Sequence, residues 1–428
     1  MSSLRNQSAL QVTALRTDAL AIVEAGYDAI NVEAALSQRL VVREEELVLD
    51  GVPYPISERR LYVAAVGKCA FAASRALEKL GSTHLAGGIA LDVVDPEPYA
   101  LTTITPYQGT HPLPSGTNVS AATALRTFLS DRTPEDFVLM LISGGGSTLL
   151  CLPELPMTAA DEEILFKELT ARGASIQELN TVRKHTSHAR GGALAAACPA
   201  TMLTLLVSDV PGNDPEYIAS APTLLDPSTI ADAKAVLTKY DITPPSTTTF
   251  IETPKDTAAF AHVTTTLFLT NKHALHAMQA AAEARGYTTA IMNDQVVGEA
   301  NNLGRDIVEE LHSTPPKTAR LYAGESTVTI GGAGGAGGRN QELVLATLED
   351  IHDDELVLAF ASDGHDNTDH AGAIADVTTR EHAVTHALVP REYLTEHRSY
   401  DFFKTSGDAL ITGYTGSNVS DIILALKK

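Results

Sequence analysis

The chain has 428 residues, of which 44% are hydrophobic and 20% charged, with a formal net charge of -22 and a mean hydropathy of +0.01. This length leaves room for two or three domains with extensive cores, and the composition is that of an ordinary globular protein. The negative balance excludes a nucleic-acid backbone as the main partner, because little here would release its counterions; an anionic substrate would need a locally basic cleft.

The N-terminal apolar period of Leu10, Leu15, Leu20 and Val23 predicts a helix, with no signal-peptide core. The apolar runs reach only about six or seven residues, far short of a membrane span. Cys69, Cys151 and Cys198 are widely spaced and odd in number, which predicts a reducing, cytoplasmic setting. Residues 61–66 predict a buried strand leading through Gly67 and Lys68 into a helix over 70–80. Residues 137–142 predict a second, entering Ser143-Gly144-Gly145-Gly146-Ser147. Residues 202–207 predict a third, ending at Ser208 and Asp209. The Pro/Thr-rich stretch 241–256 is the best candidate for a linker or a long connection between two domains. Further strands are predicted over 288–292, 326–330 and 356–360, the last ending at Ser362-Asp363-Gly364. Strands alternating with helices predict α/β architecture with mainly parallel sheets.

Ligands of open α/β sheets bind outside the carboxyl ends of the strands. Lys68, Ser143, Asp209 and Asp363 each stand at such an end. Any one of them could be a helix cap; four in succession strain that explanation. A glycine pair more often serves a tight turn, but three consecutive glycines between two serines favour a phosphate or carboxylate nest built from Ser143, Gly144, Gly145, Gly146 and Ser147. Gly67-Lys68 is not a P-loop, because the upstream glycine is missing and Cys69 replaces the hydroxyl; a lysine there can still hold phosphate as a point charge.

The second glycine segment, 331–338, precedes Arg339, Asn340 and a helix predicted over 343–348. Gly332-x-Gly334-x-x-Gly337 spells the dinucleotide fingerprint, but the acids 353–355 open the following strand and Asp363 closes it only about thirty residues on. An arginine at the start of a helix, beside Gly337 and Gly338, suits phosphoryl transfer better. In a helix, Asn180, Arg183 and Lys184 would share one face and could form the basic wall of an anion site. Asp209 and Asp363 are candidates for magnesium binding, and Asp209 also for the general base. His111 and His365 lack metal-ligand spacing and are better read as ordinary core or surface residues.

The chain resembles the glycerate 2-kinase family, whose C-terminal portion is known as the MOFRL domain. The matching stretches are VGKCA at Val66, THPLPSG at Thr110, LISGGGSTLL at Leu141, GASIQELNTVRKHTS at Gly173, RGGALA at Arg190 and LLVSDVPGNDPEYIASAPTLLDPST at Leu205. They continue with GEANNLG at Gly298, AGESTVTIGGAGGAGGRNQELVLA at Ala323, ASDGHDNTDHAGAIAD at Ala361 and SGDALITGYTGSNVSDI at Ser406. The resemblance implies two α/β domains with the active site in the cleft between them. It also implies ATP- and divalent-metal-dependent phosphorylation of the 2-hydroxyl of D-glycerate. The family's conserved lysine falls on Lys68 and its GGRNQE arginine on Arg339. The chain departs from the usual pattern at Asn213, Ala221, Ala336, Asn367 and His370, which bears on substrate choice.

The resulting expectation is an N-terminal Rossmann-like domain over 1–250 and a C-terminal domain over 251–428, with the MOFRL segment at about 320–426. Lys68, Asp209 and Arg339 would be catalytic. Residues 143–147 with Gly337, Gly338 and Asn340 would bind phosphate. ATP and Mg2+ or another divalent cation would be the cofactors and D-glycerate the substrate, with a homodimer left open and no nucleic acid or membrane. The competing readings are an NAD(P)H-dependent hydroxypyruvate reductase and a nucleotide-binding regulator without turnover; intact Lys68, Asp209 and Arg339 speak against the regulator.

Overall fold

A short antiparallel meander of β1 (Leu40–Val42), β2 (Glu46–Leu49) and β3 (Val52–Pro55) precedes the first large sheet. That sheet contains β4 (Arg60–Val66), β5 (Leu85–Asp92), β6 (Ile104–Gln108), β7 (Asp136–Ile142), β8 (Thr201–Val207) and β9 (Val263–Leu269). Their spatial order is β6-β5-β4-β7-β8-β9, and the four pairings from β6 to β8 are all parallel. The predicted runs 61–66, 137–142 and 202–207 therefore hold the middle of the sheet, where side chains are buried on both faces and no polar alternation is needed. The structure, a computed structural model, describes residues 3–81, 83–330 and 334–428.

At the end of β5, Asp92 is 1% exposed and accepts from the N–H of Phe71, 3.0 Å away, at the start of the helix Ala70–Leu80. Burial pushes its carboxyl up to about 7, against the pull of the amides of Phe71, Val93, Val94 and Ala70. A raised acid binds its proton more tightly folded than unfolded, so stability must fall as pH rises from about 4 to about 7. Asp92→Asn is expected to flatten that part of the stability profile. Chemical denaturation across this range checks it, and an unchanged slope would count against the assignment.

The second sheet comprises β10 (Thr288–Val296), β11 (Thr318–Gly324), β12 (Glu355–Ala361), β13 (Gly372–Ala375), β14 (Ala409–Leu410) and β15 (Asp421–Lys427). Its order is β10-β11-β15-β12-β13-β14. Only β10 and β11 are parallel; the other four pairings are antiparallel. The mainly parallel expectation thus holds for the first sheet and not for this one, because the last strand of the chain inserts between β11 and β12. The strand predicted over 326–330 does not form: Thr327 makes a single bridge, to Glu299.

The chain divides into two compact units that do not follow chain order. One comprises Val32–Ser208 and Asn213–Phe268; the other comprises Met1–Asn31, Asp209–Gly212 and Leu269–Lys428. This differs from a split at residue 250. The helix Ala14–Ile30 belongs with the C-terminal part, where Gly26 lies so close to Met278 that a Cβ would sit 2.8 Å from its sulfur. Nor is 241–256 a linker, since it lies inside the first unit. Ile251 N–H donates to His185 O at 2.8 Å, Thr253 Oγ1 to Asp226 Oδ2 at 3.0 Å, and Lys255 Nζ to Asp226 O at 2.8 Å. Ile242 and Phe250 pack into the apolar cluster of Leu165, Leu169 and Val182. Prolines and threonines here describe an extended strap held by side chains rather than a mobile tether. Among the described residues no helix is long and apolar enough to cross a membrane, and all three cysteines are buried outside any disulfide.

Candidate active site

The carboxyl ends of β4 and β7 lie side by side and their loops are joined through the backbone. Ser143 N–H donates to Val66 O at 2.9 Å, and Lys68 N–H to Gly144 O at 2.9 Å. Gly67 has φ +117, and a Cβ on it would fall 2.1 Å from Ser143 Oγ. Only glycine permits that approach. Ser143 is fully buried, and its hydroxyl accepts from Cys69 N–H at 3.3 Å. Its work is to lock the two loops together. Gly145, at φ +81, introduces the short helix Gly146–Leu149. The stem of Lys68 runs past it: a Cβ at residue 145 would meet Lys68 Cγ at 3.1 Å and His111 Cδ2 at 3.6 Å. Lys68 and the triple glycine, selected separately from sequence, therefore form one feature. His111 borders it.

The far side of this loop is closed by an unusual backbone run. Ala219, Ser220 and Ala221 have φ of +51, +59 and +51. Left-handed conformations in consecutive non-glycine residues cost about 1–2 kcal/mol each and cluster at functional sites. The glycine usual at position 221 of the family pattern suits this geometry, and Ala221 holds it with a side chain. Ala219 sits against Gly146, where a Cβ would be 2.6 Å from its own. Ser147 Oγ is 2.9 Å from Ser220 Oγ, which in turn donates to Asn180 Oδ1 at 2.5 Å.

Asn180, Arg183 and Lys184 all lie on the helix Ile176–Lys184, opened by a capping box between Ser175 and Glu178. The structure gives them separate surroundings. Asn180 is 1% exposed and joins the Ser147–Ser220 chain, leaving its buried Nδ2 without a protein partner. Arg183 covers the ring of Phe166, its guanidinium carbon 4.1 Å from the centroid. Burial, with Arg190 nearby, pulls its pKa down to about 10. Lys184 is buried and ion-paired with Asp226 at 3.1 Å. The basic wall is therefore not a shared face, because Lys184 is turned to a carboxylate of its own unit.

In the other unit, Arg339 opens the helix Arg339–Thr347. Its Nη1 meets Glu325 Oε2 at 3.0 Å and its Nε donates to Asp421 Oδ2. Glu325 directly follows β11 and Asp421 opens β15, so the ends of two neighbouring strands supply the acids that hold one arginine. Burial pushes Glu325 up to about 7; Arg339 opposes this, while Asp421 and Asp209 add to it. Asp209 Oδ2 accepts from Asn418 Nδ2 at 2.8 Å. Ser326, Thr327, Val328, Gly337, Arg339 and His397 line a cavity of about 300 Å³. Asp363 Oδ1 accepts from His365 N–H at 3.0 Å and shapes the turn after β12.

The start of this helix is already occupied by a carboxylate. Asp366 accepts from the N–H of Asn340 at 3.1 Å and of Gln341 at 2.8 Å, and from both side-chain amides. Burial, then Asp421, raises it to about 6, with the Gln341 and Asn340 amides holding it back. Gly338 abuts it so closely that a Cβ would fall 2.1 Å from its carboxyl carbon. The groups expected to meet phosphate at Gly338 and Asn340 are thus turned to Asp366, and Gly337 abuts Ser399, 2.2 Å from where a Cβ would lie. Gly332 of the dinucleotide fingerprint lies outside the described residues. His370 bonds Gln341 Oε1 through Nδ1 at 2.9 Å and so supports the same cap. Sequence reasoning passed over Glu325, Asp366 and Asp421. Glu325 follows an apolar run just as Asp209 does, a signal that could have found it; Asp366 and Asp421 had none of comparable strength.

A central parallel sheet, a glycine nest crossed by a lysine, and a second unit with an arginine set among carboxylates together describe a small-molecule enzyme of the α/β class. The chain belongs to the glycerate 2-kinase family. Residues 18–252 match a domain of unknown function, DUF4147, and residues 318–421 the MOFRL family. A glycerate 2-kinase of Pyrococcus horikoshii is 34% identical over 96% of this chain and 97% of its own. A relative from Agrobacterium vitis with the provisional name of hydroxypyruvate reductase is 38% identical over 74% of this chain and 75% of its own. The crystal structure of a glycerate kinase from Thermotoga maritima matches with a TM-score of 0.83 and 30% identity, covering 97% of this chain and 100% of that one.

Proposed function

We propose that this chain transfers the γ-phosphoryl group of ATP to the 2-hydroxyl of D-glycerate. The observation that carries the reading is the passage of Lys68 over Gly145, which sets a cation beside a nest of backbone amides. Phosphoryl transfer asks mainly for positioning and charge stabilisation, and this feature offers both. The amides of Gly144 and Gly145 with the Ser147 hydroxyl would take phosphate oxygens, Gly146, whose N–H closes the turn onto Ser143 O at 3.3 Å, would shape the loop around them, and Lys68 would hold the charge that develops. Asn180, with its open amide, and Arg183 would receive the anionic substrate, and Lys184 would steady their helix through Asp226. Arg339 is proposed for the second cationic role, with Glu325 and Asp421 fixing the direction of its fork.

Asp209, Glu325 and Asp421 are hard oxygen donors whose charge exceeds what Arg339 offsets, which fits a divalent cation. Asp363 would hold it, with magnesium the expected ion, and Asp209 would either join it as a ligand or accept the hydroxyl proton. Bound there, the cation supplies neutralisation of the phosphate charge. The reductase reading fares worse for a physical reason. A dinucleotide pyrophosphate needs the first-turn amides of a helix after the glycines, and in this chain Asp366 takes them.

Purified protein is expected to release ADP only when D-glycerate, ATP and magnesium are all present, and to give 2-phosphoglycerate by NMR. Oxidation of NADH by hydroxypyruvate without ADP release would replace the kinase reading with the reductase one.

A further inference from the structure

At the opposite end of β12 from Asp363, the first residue of the strand is a fully buried glutamate, Glu355. Two histidines converge on it. His312 ends the helix Ala300–His312, and His352 lies in the turn before β12. Their rings stack with centroids 3.9 Å apart and planes within 15°. His312 Nε2 lies 3.2 Å from Glu355 Oε2, and His352 Nδ1 lies 3.6 Å from Oε1. The three ligand atoms all lie within 4.8 Å of one another, the single such group among the described residues.

The hydrogen bonding of this cluster is incomplete. Glu355 Oε2 is satisfied by the N–H of His352 at 3.0 Å. Its Oε1 and the Nε2 of His312 are buried without a hydrogen-bond partner. With the imidazoles stacked in nearly parallel planes, their in-plane lone pairs do not meet at one point, so an ion would be met by a turn of the exposed His352 ring towards His312 Nε2 and Glu355 Oε1. A buried carboxylate oxygen without a hydrogen bond is expensive; Lys427 Nζ forms an ion pair with Oε1 at 3.3 Å but donates its hydrogen bond to His312 O at 2.9 Å. His352 is 57% exposed, so an ion could enter from solvent.

We propose that His312, His352 and Glu355 form a binding site for a divalent transition metal, separate from the phosphoryl-transfer machinery. Two imidazoles and one carboxylate, with a position left for water, suit zinc, cobalt or nickel rather than magnesium, which prefers an all-oxygen shell. The ion would tie the end of the helix Ala300–His312, the preceding turn of β12 and the paired start and end of β12 and β15. Glu355 and Lys427 face each other in the β12/β15 register, so the tie would fasten one end of the central strand pair that carries Asp421 at its other end.

The test uses the full chain, stripped with a chelator and titrated with Co2+ in excess magnesium. The expected result is one equivalent of Co2+ with visible d–d bands, bound at micromolar concentration and raising the melting temperature. His352→Ala removes a half-exposed side chain and should fold. It is expected to abolish the bands and weaken binding by at least about tenfold to a hundredfold, the range already seen for losing an outer-sphere partner of a metal ligand. Magnesium-supported ADP release should remain unchanged in that variant. Bands that survive in His352→Ala, or binding only at millimolar Co2+ as an adventitious ion, would overturn the proposal.

Discussion

Lys68→Ala is expected to lower kcat by about a hundredfold or more, the scale at which preorganised charge contacts to a transition state are lost. The melting temperature should change little. The stem of Lys68 passes a glycine rather than filling a core position, and the loop it belongs to is held by backbone bonds from Lys68 N–H and Ser143 N–H that the substitution keeps. Lys68→Arg is not expected to restore activity, because a planar fork presents its charge differently from a compact ammonium. Steady-state kinetics with ATP and D-glycerate decide the matter. A kcat within a few-fold of the unsubstituted protein would remove Lys68 from the reaction.

Arg339 offers a less clean experiment, for a reason visible only in three dimensions. Removing it leaves Glu325 and Asp421 facing each other without their shared cation, so lost activity could follow from a rearranged carboxylate group. The sequence exposes Arg339 because it follows a long glycine run. It hides the meeting of Glu325 with Asp421, which stand far apart in the chain and come together only because β15 inserts beside β11. The same insertion explains why the direction of the second sheet was not legible. Alternating strands and helices predict parallel neighbours, and nothing local in 421–427 announces a strand that returns to the middle of the sheet. The first sheet was legible because β4, β7 and β8 are buried on both faces and write that burial as unbroken apolar runs.

Local chemistry misled in two further places. A stretch rich in proline and threonine reads as a tether until Asp226 is seen to gather Lys184, Ser228 and Thr253 around it. A glycine run before a helix reads as a nucleotide loop until Asp366 is seen on the helix amides. In both, a single buried aspartate decides the outcome, and an aspartate in a loop carries no pattern that sets it apart from a solvated one.

The N-terminal helix is the other feature that chain order conceals, and it carries the largest expected stability effect. Arg16, on the helix Ala14–Ile30, is 1% exposed. Its Nε and Nη2 bond Asp376 at 2.8 and 2.7 Å, Nη1 meets Asp408 at 2.8 Å, and Nη2 also donates to Thr379 Oγ1 at 2.9 Å. Burial pulls the guanidinium pKa down, and the two carboxylates more than reverse it. Arg16→Ala would take the shared buried cation from Asp376 and Asp408, leaving them the Thr379 N–H and His382 Nδ1, each at 3.1 Å, a loss of about 3–5 kcal/mol. At about 2–4 °C per kcal/mol for a unit of this size, the corresponding melting transition should drop by about 6–20 °C. Charge, rather than lost packing, is the cause assigned, and a second variant separates the two. Arg16→Met combined with Asp376→Asn and Asp408→Asn removes all three charges, keeps a residue able to cap the helix Val377–Thr385, and should recover most of the loss, since a buried ion cluster is often replaceable as a whole. If the single variant costs less than about 1 kcal/mol, as exposed ion pairs do, the cluster does not pin the N-terminal helix; if the triple variant is no better than the single one, the lost contacts of the arginine stem are responsible instead.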